Sequence, residues 1–247
     1  MDCVWGLGYD ATSDDYKILA LDLNASAYAQ PNVSVEILSL KSGSWRRIGN
    51  YPTDVCRLYG FRDSGVDYLP FVHGAFHWLG GVSQYYTIIS FNISNEVYGE
   101  IPLLERMCNI SHSRIIDHGV SVLGGMLCFY STYDDCWQRT FKLWVMKDYG
   151  IKESWTKLIT IRDANLFHSA RPKHMFADGE VLLRCKHMGC FGTVTSTLCN
   201  LLNLRFLWLI VCLQSGKMSL YTEAEGSGIC NCQLYWSPQQ HEGGNAI

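Results

Sequence analysis

The chain has 247 residues, 48% apolar and 17% charged, which is ordinary globular composition and excludes a disordered or fibrous polymer. Twenty basic against 23 acidic residues give a net charge of −3, with no basic stripe to follow a phosphate backbone, so nucleic acid is not an expected partner. Eleven irregularly spaced cysteines, behind an N-terminal MDCVWGLGYD without a charged or apolar leader, point to a reducing compartment, cytoplasmic or nuclear.

The first predicted elements are VWGLGYD, a polar ATSDD turn and YKILALDL. VSVEILSL, KSGS and WRRI then carry a second strand pair to residue 48. The pattern returns as YLPFVHGAFHWL at 68 to 79, followed by TIISFNI, the turn SNEV and a strand ending GEIPL at 103. It returns again as VSVLGGMLCFY at 120 to 130, with FKLWVM, KDYGIKES and WTKLITI to 161, and begins a fourth time as KHMFADGEVLLRC at 173 to 185. His-Gly, Gly-Gly and Asp-Gly all suit a two-residue hairpin turn, whose central positions take positive φ. The glycines concerned, Gly74, Gly125 and Gly179, stand 51 and 54 residues apart.

Four-stranded units of about 50 residues with glycine turns and recurring aromatics are the signature of propeller blades, the kelch period falling in this range. The expected fold is all-β: a kelch-like β-propeller of about three and a half four-stranded blades, over residues 1–185, with an atypical segment at 186–247. Alternation sets Phe76, Trp78, Ile89 and Phe91 between neighbouring blades. Trp45, Trp78, Trp144 and Trp155 fall in strands and are expected in the core. An arc that does not close should expose an apolar blade face and be poorly soluble.

The segments GLGYDATSDDYKI, SLKSGSWRRI, VHGAFHWLGG, IISFNISNEVYGEIPL and LWVMKDYGIKESWTKL occur here in the order of one plant family. Over residues 4 to 185 the chain resembles the F-box-associated interaction domain. The resemblance implies a propeller that captures target proteins for ubiquitination, in proteins whose N-terminal F-box docks the Skp-type adaptor of a cullin ubiquitin ligase. It implies a substrate receptor rather than an enzyme, with no cofactor. The family's F-box is missing ahead of GLGYD, so adaptor and cullin are expected to bind only a full-length form. A free-standing binding propeller or decoy is the alternative, and a propeller hydrolase a minor one. After Arg184 and Cys185 the strand alternation is lost, and about 187 to 214 reads as translated intron or a misassembled gene model inserted after the second strand of the fourth unit, before SGKMSLYTEAEG returns to a polar turn and a strand as a remnant of the last blades. The other reading is a buried apolar helix. The run LCNLLNLRFLWLIVCL is too short to span a bilayer and contains Asn200, Asn203 and Arg205, so no membrane association is expected.

Catalytic and metal chemistry finds no support in the spacings. His73 and His77 straddle a turn and a strand, and no Glu follows His73 as a zinc hydrolase motif requires. Cys185, His187 and Cys190, or Cys230 and Cys232, match no structural zinc pattern. GLGYD lacks the third glycine of a dinucleotide fingerprint and leads into a strand. Binding is therefore expected on the rim that holds the longer loops, at 24 to 32, 49 to 67, 80 to 86, 103 to 118, 131 to 140 and 162 to 172. Aromatic and Arg residues dominate interaction hot spots. The candidates are Tyr28, Arg57, Arg62, Tyr85, Arg106, His112, Tyr133, Trp137, Arg139, Phe167 and Arg171.

Overall fold

The computed structural model describes residues 3–22, 33–49, 57–59, 68–82, 85–108, 114–134, 139–162, 169–186, 206–212, 217–224 and 227–235. They form four antiparallel sheets. The first is a meander of β1 (Cys3–Asp10), β2 (Asp15–Asp22), β3 (Ser34–Ser39) and β4 (Ser44–Ile48). In the second, β5 (Arg57–Tyr59) and β6 (Phe71–Val72) both pair with β7 (Ala75–Val82), followed by β8 (Tyr85–Asn92) and β9 (Val97–Pro102). A short helix, α1 (Glu105–Cys108), leads to the third sheet of β10 (Arg114–Leu123), β11 (Met126–Asp134), β12 (Arg139–Met146) and β13 (Trp155–Arg162). The fourth comprises β14 (Ser169–Met175), β15 (Glu180–Lys186), β16 (Phe206–Cys212), β17 (Lys217–Ala224) and β18 (Ser227–Tyr235). Chain-order sheets of this kind are successive propeller blades.

Three apolar clusters lie one at each junction. Between the first and second sheets, Val4, Leu19, Leu21, Val35 and Ile37 meet Phe76, Trp78, Ile89 and Phe91, the four residues that alternation assigned to a blade interface. Between the second and third, Leu79, Ile88, Ile101 and Met107 meet Leu127, Phe129, Trp144 and Trp155. Between the third and fourth, Tyr130, Phe141, Leu143, Val145, Ile159 and Ile161 meet Ala170, Val181, Leu183 and Cys185. Each sheet thus has a leading face toward the next sheet and a trailing face toward the one before. The strand period of two delivers this: in β7, Phe76 and Trp78 face backward while Leu79 faces forward.

The glycines of GLGYD answer a packing need. A Cβ on Gly6 would lie 2.6 Å from the Phe76 ring, and one on Gly8 2.6 Å from the Phe71 ring, so β1 offers bare backbone on which the second sheet's aromatics rest.

The hairpin turns follow their local chemistry, with one difference. His73 and Gly74 take φ of 51° and 73°, and Gly124 and Gly125 take 55° and 77°, as a two-residue turn of mirror-image type requires. Asp178-Gly179 is instead part of a three-residue loop: Phe176 N donates to Glu180 O at 2.8 Å, and only Gly179 is left-handed, at 85°. That is the type I turn closed by a glycine bulge.

Three further expectations change. The fourth unit does not end at Cys185: residues 206 to 212, inside the stretch read as intron, form β16, and Leu183 pairs with Leu209 across from β15. A short apolar run is compatible with a strand as well as with a helix, so lost alternation there does not mean lost strand. Trp45 is exposed rather than core, because it sits on the first sheet's trailing face. Finally, strands run further toward the long-loop rim than alternation indicated, which moves Arg57, Tyr85, Tyr133, Arg139 and Arg171 from loops into β5, β8, β11, β12 and β14.

Candidate protein-binding rim

The antiparallel order puts the connections after β2, β4, β7, β9, β11, β13, β15 and β17 on one rim, and those after β1, β3, β6, β8, β10, β12, β14 and β16 on the other. Of the eleven rim candidates, Tyr28, Arg62, His112, Trp137 and Phe167 lie outside the described residues, and for Arg57 and Tyr85 only the strand position is described. The other four separate into two kinds.

Arg106 is exposed, whereas the Arg139 side chain is only 15% exposed. Met107 of α1 plugs the junction of the second and third sheets, which turns the exposed Arg106 over the Trp144 ring at 5.3 Å from its centre. This cation–π contact holds a guanidinium at the rim with its outer N–H groups open to water. Arg139 begins β12 opposite Asp134, the last residue of β11, with Nε 3.7 Å from the carboxylate.

Tyr133 and Arg171 are buried, contrary to a rim placement. Tyr133 is inside the sheet with Lys142 Nζ over its ring at 4.8 Å. Arg171 Nε and NH2 donate to the two oxygens of Asp117 at 2.8 and 3.0 Å, tying β14 to β10. A paired, buried guanidinium is a structural clamp between sheets, since removing it to contact a partner would strand the Asp117 charge. Burial, reinforced by that carboxylate, drives the Tyr130 phenol well above its ordinary range. Tyr130 also fills the space of a Gly119 side chain, for a Cβ there would lie 2.7 Å from its oxygen.

The short-turn rim is stitched between sheets. Asp10 is 2% exposed; Oδ2 accepts from Lys17 Nζ and Ser13 Oγ, both at 2.6 Å, and Oδ1 from Ser94 Oγ at 2.5 Å and Thr12 N at 3.0 Å. Burial alone would raise this carboxyl; the donors from Lys17, Ser13, Ser94 and Thr12 outweigh it and hold it far below the usual range. Ser94 belongs to the second sheet's turn, and Lys17 also donates to Ile93 O at 3.2 Å, so the cluster joins two blades.

The two histidines of VHGAFHWLGG serve the next junction. Tyr149, from the third sheet's turn, stacks on His73 with ring centres 4.5 Å apart and shares a 2.7 Å hydrogen bond with His77 Nε2. Burial pushes His77 down to about 4. His118 of β10, edge-on to Tyr86 of β8, is likewise pushed down to about 4 by burial. Among the described residues, no group of three or more His, Cys, Asp or Glu is placed to hold a metal ion. Cys128 and Cys185 are free and buried in the junction of the third and fourth sheets, where burial lifts the Cys128 thiol to about 12 and Cys185 also upward. Neither is poised as a nucleophile.

Sequence reasoning expected an exposed apolar blade face but named none of its residues. Trp5, Leu7, Tyr9, Tyr16 and Trp45 are all exposed, and they share the trailing face of the first sheet. The signal was present in VWGLGYD, where Trp5, Leu7 and Tyr9 alternate with the glycines.

Comparison with known proteins places this geometry. The profile of the F-box associated beta propeller domain matches residues 1–196. The chain is 29% identical over 174 residues to the F-box protein CPR1 of Arabidopsis thaliana, covering 64% of this chain and 40% of that protein. It is also 29% identical over 195 residues to an F-box/kelch-repeat protein of Arabidopsis thaliana, covering 74% of this chain and 46% of the other. The chain therefore spans less than half the length of these relatives.

Proposed function

Because the chain belongs to the F-box associated beta propeller domain family, we propose that it is the target-binding module of an F-box-type cullin ubiquitin ligase, working in the cytoplasm or nucleus. The family match over residues 1–196 carries this reading. The geometry supports it: clamped blades give a rigid base for the long-loop rim, where Arg106 is held outward on Trp144. The chain contributes recognition rather than chemistry, and ubiquitin transfer belongs to the ligase that brings the target close. Docking of the Skp-type adaptor and cullin belongs to an F-box segment that these 247 residues do not supply.

The test joins an F-box segment ahead of residue 1 and follows ubiquitinated peptides and protein half-lives across the proteome. At least one protein should become ubiquitinated and shorter-lived with the fusion, and Arg106→Glu should weaken its capture. The 247-residue chain alone should lengthen the same protein's half-life by occupying it. If neither form changes the turnover of any protein, the reading fails.

A further inference from the structure

The hairpin of β14 and β15 gathers three cations. Pairing sets Arg171 directly opposite Arg184, on the same side of the sheet, and Lys173 is the extra residue where the register shifts between Pro172 and His174. Like charges directly opposite one another destabilise a sheet, and a bulge re-aims a side chain out of the alternation. Here the bulged Lys173 holds its ammonium over the ring of Tyr68, 5.4 Å from the ring centre. Tyr68 comes from the segment ahead of β6 and is fixed by β1: Trp5 and Tyr68 form a bridge, and Leu69 N donates to Trp5 O at 2.7 Å. The cation–π contact therefore reaches from the fourth sheet to the lead-in of the second.

One of the three cations is balanced on the spot. Both oxygens of Asp117 accept from Arg171, which commits that guanidinium to the clamp between β10 and β14. Lys173 is different: among the described residues no carboxylate forms an ion pair with it, and the charges it feels are those of Arg184 and Arg171. Burial, followed by those two guanidinium groups, holds the Lys173 ammonium below its ordinary range. Lys173 and Arg184 are nevertheless only half-buried, so a dissolved ion reaches them. Packing does not call for this arrangement, since an apolar or acidic residue in place of Lys173 would remove the repulsion. Like charges crowded where solvent enters, against a low-dielectric wall, focus a field that draws in the opposite charge.

We propose that Lys173 and Arg184 bind a phosphate group, with the Tyr68 ring as the wall that holds the ammonium in place. A guanidinium meets phosphate oxygens through parallel N–H donors, and an ammonium adds a point charge beside it. A phosphate monoester carries about −1.5 to −2 near neutral pH, so it sits against two cations at once, which the single charge of a carboxylate matches less well. Arg171 contributes only its charge, because leaving Asp117 would strand a buried carboxylate. The group would be carried by a small ester or by a modified side chain of a bound protein; the chemistry at Lys173 and Arg184 is the same. The site lies within β14 and β15 rather than in the rim loops, so it goes beyond the target-binding reading and does not rest on it.

Titration of the full 247-residue chain with inorganic phosphate, at about pH 8 where phosphate is a dianion, tests this by NMR of isotope-labelled lysines. The Lys173 signal, identified by its loss in Lys173→Met, should shift saturably with phosphate and not with chloride at equal ionic strength. Arg184→Gln should weaken phosphate binding about tenfold, the loss of one charge-assisted contact, with unchanged strand content by circular dichroism. Arg184→Lys, which keeps the charge, should restore most of it. Glycerol phosphate and a phosphoserine tripeptide, titrated in the same way, distinguish a small ester from a protein-borne group by which of them binds tighter. A Lys173 signal that responds equally to phosphate and chloride, or phosphate binding unchanged in Arg184→Gln, would overturn the proposal, as would failure of both esters to bind. None of these readouts involves a target or an adaptor, so the outcome is separate from that of the ligase reading.

Discussion

Two faces with the same design differ in one respect. Trp78 and Phe76, on the trailing face of the second sheet, are fully buried, whereas Trp5 and Trp45, on that of the first, are 47% and 45% exposed. Strand period, aromatic content and cross-strand alignment are alike, so what separates core from surface is a neighbouring sheet. Blade faces acquire their energetic role by stacking, as repeat architectures do generally.

Substitution would break this comparison most directly. Phe76→Ala or Trp78→Ala should cost about 3–5 kcal/mol of unfolding free energy, the transfer and cavity cost of a buried aromatic. Trp5→Ala or Trp45→Ala should cost less than about 1 kcal/mol. Urea titrations followed by circular dichroism measure both, and equal losses on the two faces would refute the distinction.

The next largest effect concerns how the first junction is held. Asp10→Ala removes the acceptor that Lys17 and Ser94 share and should cost about 3 kcal/mol, since it leaves a largely buried ammonium short of its counter-charge. The carboxyl is depressed in the folded state, so its contribution is full above about pH 4, the ordinary carboxyl value, and is lost as pH falls toward the depressed one.

The second junction should yield to milder acid. His77 and His118 both sit there with folded values near 4 against an ordinary 6.5. Between those values the unfolded chain takes up protons that the folded chain refuses, so stability falls as pH drops from 6.5 toward 4. At pH 5 the loss should be about 2 kcal/mol per histidine relative to pH 7. His77→Gln and His118→Gln should each flatten the profile in proportion. A pH-independent urea midpoint from 7 to 5 would contradict the burial of both rings.

The smallest effect is expected at the exposed cross-sheet ion pair of Arg46 with Glu96. Arg46→Ala should cost less than about 1 kcal/mol, and that loss should shrink further in high salt, as with other solvated pairs.

The legible parts of the molecule were those governed by near neighbours in the chain. Alternation in VHGAFHWLGG set Phe76 and Trp78 on one face, and His-Gly and Gly-Gly chose their turns. Ordered family motifs then identified the domain. Asp-Gly was ambiguous because a three-residue bulged loop uses the same dipeptide. Arg171 was not legible at all: its partner Asp117 is 54 residues away, and a rim guanidinium and a buried clamp look alike in sequence. The fate of His73 and His77 was similarly remote, since Tyr149 comes from the next sheet.

By itself, the sequence determined the all-β class, the four-stranded repeat, the hairpins and the family, because period and turn chemistry act over a few residues. Only the tertiary structure decided which alternating face becomes core, which charges are clamped, and that Trp5, Leu7, Tyr9, Tyr16 and Trp45 are exposed on one face of the first sheet. Those outcomes depend on which sheet stacks against which, and burial is a property of the pair rather than of either sheet.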